Sequence, residues 1–526
     1  MRRLALPIAL AAASIAASPA AGQAVVQSDR IDAVSVTLYR EPGRGEGAIR
    51  PGWPGGYALI TETRTIRVPA GRSVIRFEGV SEGMLPESAI VTGLPRPVNE
   101  KNRDARLLSP ASLVDAYLKR RVMITRTSRA TGKAKTEEAV IQSGPRGGVL
   151  LTTAEGVEAL SCSGLPESLR YRGVPDDLSA KPTLSIVTDT ARATTATVQL
   201  SYLSQGFDWS ANYVARVADD GKTLDLFAWL TVANGGSQGF ARAHTQAVAG
   251  GLHREPAAQL PQGQPPRLTL QCWPMDITST YPAWDIERAP PPEMMMEEYA
   301  RDGVRMEVMP VPMMAMAPPP PPPAPPAMMA QQEDLGDLKL YRMPEPVTVA
   351  ALSRKQVAMI DRKGVTFERV YTGYFNGSIY SPPSFAMPSQ AAGVILRAEN
   401  KPSSGLGLPL PAGGVAVFES AGGASMLVGE SGLADRAIGD EVELRAGASP
   451  DVRYVTTAQP HGVGSAPFTV RVTNARSTAE TFELPLPFKI GSSSAPLIER
   501  KGVQVWRVTV PANGVAVLDV ALDTRP

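Results

Sequence analysis

Apolar and polar residues alternate with a period of two over several stretches of this chain, a pattern that predicts half-buried strands. Between Ala196 and Tyr202 the apolar set is Ala196, Val198, Leu200 and Tyr202, with Thr197, Gln199 and Ser201 between them. From Leu224 to Val232 it is Leu224, Leu226, Ala228, Leu230 and Val232, which puts Phe227 and Trp229 on the other face. Phe468, Val470 and Val472 repeat the pattern near the C-terminus. One buried and one solvated face is the mark of antiparallel sheets. Helix is scarce: the best segment has Ser109 as N-cap and Pro110 in the first helical position, and runs through Leu113, Ala116 and Tyr117 to about Arg121.

Turn chemistry recurs between these runs. VPAG (Val68 to Gly71), LPAG (Leu410 to Gly413) and VPAN (Val510 to Asn513) each precede a new alternation; Pro presets the turn, and Gly or Asn tolerates positive φ. Three strands end alike, at Asn234 in LTVAN, Asn400 in LRAEN and Asn474 in VRVTN. DRKGVTFERV (Asp361 to Val370) and ERKGVQVWRV (Glu499 to Val508) share six identical positions, with Lys-Gly placed as in a hairpin whose turn ends in a Gly bulge. Asn376-Gly377 in YTGYFNGSIY is the strongest short hairpin signal. The expected fold is mainly β: tandem antiparallel β-sandwich-like domains with one short helix.

Composition changes this picture at one place. From Pro290 to Pro326 the chain holds thirteen prolines, and ten of its eighteen methionines fall between Met294 and Met329. Such a tract forms neither sheet nor stable helix, so a disordered Pro/Met-rich insertion is expected. The expected layout is a signal peptide (1–24), an N-terminal β domain (25–190), the first part of a C-terminal β domain (191–288), the Pro/Met-rich linker (289–337) and the remainder of the C-terminal β region (338–526).

The first 24 residues pair a basic start, Arg2 and Arg3, with an apolar run from Leu4 to Ala17 and small residues before a cut after Gly22 or Ala24. That is the form of a secretory leader, shorter than a membrane span. Removing its two Arg from the 53 Lys and Arg leaves 51 basic against 51 acidic residues, so the mature chain is formally neutral and offers no basic footprint for nucleic acid. No later run of apolar residues is long enough to cross a membrane. Export to an oxidising compartment, expected to be the periplasm, makes Cys162 and Cys272, the two cysteines of the chain, a candidate disulfide. It would close a loop of about 110 residues, worth about 4 to 5 kcal/mol; two buried thiols are the alternative.

Motifs for chemistry are few. His244, His253 and His461 are scattered, and the chain has no HExxH, paired CxxC, GxSxG elbow or phosphate-binding loop, so no cofactor is expected. Asp208 beside Trp209 in GFDW is the most suggestive carboxylate, with a turn-organising Asp and a packed Trp as its structural alternative. Met294, Met295, Met296, Met306, Met309, Met313, Met314 and Met316 could supply soft thioether ligands to Cu(I), although no His or Cys joins them. The aromatics Tyr371, Tyr374, Phe375 and Tyr380 around Asn376-Gly377 could form a stacking platform for sugar or peptide, or serve as ordinary cross-strand pairs.

The strings GYALITETRTIRVPAGRSVIRFEGV (Gly56 to Val80), YLSQGFDWSANYVARV (Tyr202 to Val217) and LPLPAGGVAVFES (Leu408 to Ser420) resemble a family of exported Gram-negative proteins defined by a C-terminal domain of unknown function. Its relatives include those called mucoidy inhibitor A. The resemblance spans nearly all of the mature chain and implies the exported address and a β fold; it carries over no catalytic residues. Mucoidy-inhibitor relatives have a long coiled coil in the N-terminal half, and no sustained heptad occurs here. The expected role is a non-catalytic binding or scaffolding module whose partner is an envelope protein or glycan. A hydrolase of an envelope polymer and a Cu(I)-binding linker are the alternatives.

Overall fold

The computed structural model describes residues 24–104, 107–127, 131–144, 148–160, 167–175, 178–250, 329–377, 384, 386–460 and 464–524. These are mainly β and carry one short α-helix, with several multi-stranded sheets in sandwich-like packing. Cys162, Cys272, His253, His461, Tyr380 and the methionines from Met294 to Met316 lie outside the described residues, and with them the disulfide and copper expectations.

Two compact units divide the chain, and they do not follow a split near residue 190. Among the described residues, one comprises those of 24–104, 181–250 and 329–524, and the other those of 107–180. Strands expected in separate N- and C-terminal domains therefore share sheets. The reason is the pairing of Thr194–Val217, a 24-residue strand: its first half pairs antiparallel with Gly56–Val68, and its second half pairs parallel with Gly413–Ala421. Thr223–Asn234 lies along its other edge and is followed by Ser353–Thr366.

In the larger unit the sheet built on that strand has twelve strands; beside it are a nine-stranded sheet from the C-terminal third and a four-stranded sheet that includes Ala24–Ser28. A continuous apolar core joins them, with Trp209, Tyr202, Phe77, Phe207, Phe482 and Trp506 among its largest buried side chains. Within this core lies a fully buried polar group. Arg64 donates from Nε and Nη2 to Glu62 Oε2 (2.9 and 2.7 Å), from Nη1 to Ser28 O and from Nη2 to Glu78 O, while the Tyr202 hydroxyl donates to Glu62 Oε1 at 2.6 Å. Burial raises the Glu62 carboxyl above its ordinary range, against the pull of Arg64.

The smaller unit holds a five-stranded antiparallel sheet and its own core of Val114, Tyr117, Val122, Ile124, Ala139, Ile141, Val149 and Leu151. Its helix, Pro110–Ala116, starts as expected at Ser109, which forms a capping box with Ser112. It ends earlier than the sequence implies: Lys119 turns left-handed (φ 62°), and a strand already begins at Arg121.

The alternations fall where the pattern places them. Phe227 and Trp229 share the face opposite the core, in edge-to-face contact at 4.8 Å. Each of the three Pro turns leads into a strand, at Gly71, Gly413 and Val515. Gly71 and Asn513 have positive φ, whereas Gly413 is needed for space: a Cβ there would lie 1.9 Å from the Ala211 carbonyl oxygen.

The strand-ending asparagines are a true structural echo. Asn234, Asn400 and Asn474 are all buried, and each side chain ties the turn after its strand to a neighbouring segment. Asn234 donates to Gln238 O and Ala350 O and accepts from Gly236 N; Asn400 donates to Leu408 O and Ala437 O and accepts from Gly407 N; Asn474 donates to Thr478 O and Pro511 O and accepts from Arg476 N.

Two hairpin expectations are corrected. Lys501-Gly502, both at positive φ, does form a two-residue turn between Ile498–Arg500 and Val503–Val510. The matching Lys363-Gly364 lies inside the strand Ser353–Thr366, where Gly364 (φ 64°) accompanies a register shift against Thr223–Asn234. Asn376-Gly377 makes no tight hairpin: neither residue has positive φ, and the strands flanking it, Glu368–Thr372 and Gln390–Glu399, are joined by a long connection.

Candidate functional site

The site follows from one glycine. At Gly206 (φ 83°) the register of Thr194–Val217 against Gly56–Val68 shifts, so the core-facing positions change from even to odd numbers. Before it Ala196, Val198, Leu200 and Tyr202 face the core; after it Phe207, Trp209, Ala211 and Tyr213 do. The outward face consequently receives Asp208, Ser210 and Asn212.

That outward face is covered by the loop 40–55, which joins the strands Ala33–Tyr39 and Gly56–Val68. Residues 206–211 are therefore buried on both faces. Trp53 of the loop packs against Gly206, where a Cβ would lie 2.6 Å from its ring. Arg44 is ion-paired to Asp208 and also donates to the Trp209 carbonyl oxygen at 2.7 Å. Arg40 holds Asp435 through two hydrogen bonds (3.2 and 2.6 Å), and Arg50 pairs with Glu41.

Asp208 is the centre of this fastening. Its Oδ1 accepts from the main-chain N–H groups of Glu41 (3.1 Å) and Trp209 (2.8 Å), and its Oδ2 accepts from Arg44. Burial raises its carboxyl to about 6, against the opposing pull of Arg44 and the two N–H groups. Trp209 is fully buried and donates from Nε1 to Val248 O at 3.1 Å. Trp209 is packed, as its structural alternative had it, but Asp208 organises no turn before a strand: it lies inside Thr194–Val217 and fastens the loop 40–55 to that strand.

Between loop and sheet lies a cleft of about 430 Å³. Gly47, Ala48 and Ile49 form one wall; Ser210, Asn212, Thr231, Gln356, Arg354 and Gly414 supply the rest. Strand pairing places Ser210 and Gln356 on either side of Thr231, and Asn212 directly opposite Trp229. A hydrogen-bonded row crosses the three strands: Asn212 Oδ1 accepts from the Thr231 hydroxyl (2.6 Å) and the Ser210 hydroxyl (3.3 Å), and Gln356 Nε2 donates to Thr231 at 3.1 Å. Arg354 Nη2 donates to Ile49 O at 3.2 Å, tying the far strand to the loop.

Sequence reasoning missed this row. Its signal was WSANY, where small polar residues alternate with core aromatics just beyond the Gly206 shift; the loop and the partners from Thr231 to Gln356 come from segments remote in sequence.

The proposed aromatic platform does not assemble as a surface. Tyr371 and Phe375 are buried, Phe375 making edge-to-face contacts with Phe468 (5.3 Å) and Phe488 (5.8 Å), so Tyr374 alone of the three described rings is exposed. They act as core packing because the segment after Thr372 turns inward rather than forming a hairpin. His244 is exposed on Phe240–Ala249. Among the described residues no group of three or more His, Cys, Asp or Glu is placed to hold a metal, and no helix is long and apolar enough to cross a membrane.

A second polar cluster lies on the nine-stranded sheet. Glu483, nearly buried, accepts from Arg397 (2.8 Å), Arg500 (3.1 Å) and Arg507; Arg397 and Arg500 also reach Glu443. Burial would raise the Glu441 carboxyl, but hydrogen bonds from Arg500 and Lys501 hold it at about 2. The carboxylates and cations of this cluster are paired with one another, as in a structural network.

Fold and cleft together define a mainly β protein that presents a polar, hydrogen-bonding cleft on a sheet face. No family model matches the chain, and no curated protein matches it.

Proposed function

We propose that this chain is an exported, non-catalytic binding module of the Gram-negative cell envelope, and that it takes its ligand in the cleft beneath the loop 40–55. The address rests on the leader-like first 24 residues and on the resemblance of Gly56–Val80, Tyr202–Val217 and Leu408–Ser420 to an exported family. The observation that supports binding is the cleft lining: amides and hydroxyls held in fixed orientation by one another, on a rigid sheet, with no carboxylate, His or Cys among the lining residues. Hydrolysis of a glycan would call for two carboxyl groups roughly 5 to 9.5 Å apart across the ligand. Asp208 and Glu41, the carboxylates nearest the loop's foot, are each committed to an arginine and line no part of the cleft.

The test is a pull-down from envelope extract with the full mature chain and with Gly414→Leu. A Cβ at Gly414 meets only Asn212 Nδ2, at 3.8 Å, so a larger side chain grows into the cleft without displacing main chain. A component captured by the parent and lost with Gly414→Leu supports the reading. Equal capture by both, or none by either, overturns it. A third version lacking residues 290–330 reports whether the Pro/Met-rich tract contributes.

A further inference from the structure

We infer that the cleft ligand is a neutral saccharide, hydrogen-bonded by Asn212, Thr231 and Gln356 and stacked on Trp229; this rests on the binding-module reading above. The internal bonds of the row fix both amides. Asn212 Oδ1 is occupied by two hydroxyls and Gln356 Nε2 by Thr231, which leaves Asn212 Nδ2 and Gln356 Oε1 without partners among the described residues. One donor and one acceptor are thus presented at the two ends of a row three strands wide, with strands about 4.8 Å apart. A sugar hydroxyl both donates and accepts, so the hydroxyls around one ring can satisfy both ends.

Trp229, beside the cleft rather than among its lining residues, supplies the apolar complement. It sits opposite Asn212 on the same sheet face, is 36% exposed despite its size, and is braced edge-on by Phe227. An aromatic face beside polar groups suits a pyranose, whose C–H face is apolar and whose rim is hydroxylated. The cleft volume, about 430 Å³, fits a ring or a disaccharide and falls within the roughly 300 to 1,000 Å³ of small-molecule sites.

Two other ligand classes fit less well. An anionic ligand would need free cations, and the sole charged lining residue, Arg354, already donates to the loop carbonyls of Ile49 and Arg50. An extended peptide is captured through an unpaired strand edge. At the cleft both edges of Thr194–Val217 are paired, by Gly413–Ala421 and Thr223–Asn234, and the latter is paired on its far side by Ser353–Thr366.

The test uses the full chain and two arms. In the first, neutral mono- and disaccharides (N-acetylglucosamine, glucose, galactose, maltose and diacetylchitobiose) are titrated while ligand resonances and tryptophan fluorescence are followed. Trp229→Ala and Asn212→Ala are each expected to weaken binding about tenfold or more, Gly414→Leu to abolish it, and Tyr374→Ala to leave it unchanged, with thermal melts confirming that every variant folds. Binding that is indifferent to Trp229→Ala and Asn212→Ala overturns the inference. In the second arm, envelope extract is oxidised with periodate, which destroys vicinal diols, before the pull-down. Loss of the cleft-dependent component supports a saccharide. Undiminished capture that still requires an open Gly414 overturns the saccharide and leaves the binding module standing; the absence of any cleft-dependent capture removes both.

Discussion

Arg44 and Asp208, 164 residues apart in the chain, meet as a buried ion pair that pins the loop 40–55 to the outward face of the longest strand. The pair stands behind the cleft rather than in it, and its role is to hold the wall formed by Gly47, Ala48 and Ile49 at a fixed distance from Ser210 and Asn212. Removing one partner leaves the other charge buried and unpaired, which typically costs about 3 to 5 kcal/mol. Arg44→Ala should therefore lower stability in urea by an amount in that range and raise hydrogen exchange across 40–55 before the rest of the sheet. Uniform exchange in loop and sheet would show that Arg44 does not act as a latch.

The same pair has a defined pH signature. Because burial raises Asp208 from 3.8 to about 6, the folded protein binds this proton more tightly than the unfolded chain does. Its contribution to stability is fully present below the unfolded value and declines as pH rises through about 6. The stability gap between the parent and Asp208→Asn should then be wider at pH 4 than at pH 7, by up to about 3 kcal/mol. Urea melts at the two pH values decide the sign, and a gap that widens with pH would reverse the assignment.

Gly413 and Gly414 are neighbours with opposite tolerances. A methyl at Gly413 would lie 1.9 Å from Ala211 O, in the parallel pairing that closes the cleft, whereas one at Gly414 meets nothing closer than 3.8 Å. Gly413→Ala should destabilise by about 2 to 4 kcal/mol, and Gly414→Ala by less than about 1 kcal/mol. Comparable melting temperatures for the two would contradict the strand register.

In the core, Glu62→Ala leaves Arg64 without its carboxylate and should cost about 3 to 5 kcal/mol. Replacing both, as Glu62→Leu with Arg64→Met, removes the charges together and should be markedly milder. A double-mutant cycle by chemical denaturation measures the difference; additive losses would mean that the two residues are not coupled.

On the nine-stranded sheet the effects should track burial. Glu483→Ala withdraws the shared acceptor of Arg397, Arg500 and Arg507 and is expected to cost about 2 to 4 kcal/mol, while Lys501→Ala, at the solvated rim, should fall within about 0.5 kcal/mol. Equal losses from both would argue against a buried centre to the network.

The sequence by itself determined the strands, their buried faces, the start of the helix and the Pro turns, because each depends on residues close in the chain: alternation at Ala196–Tyr202 and Leu224–Val232, the Ser109 cap with Pro110, and the turns that lead into strands at Gly71, Gly413 and Val515. It marked Asn234, Asn400 and Asn474 as equivalent without saying why, since their partners, such as Ala350 and Ala437, lie elsewhere. Tertiary structure decided the rest. Whether Lys-Gly makes a turn or a bulge depended on the neighbouring strand, and whether Tyr371 and Phe375 face water depended on Phe468 and Phe488 packing against the latter. The cleft needed three separate pairings and one shift at Gly206 to bring Asn212, Thr231 and Gln356 into a row. Local sequence sets which face of a strand is apolar; only long-range pairing sets which polar residues meet on the other.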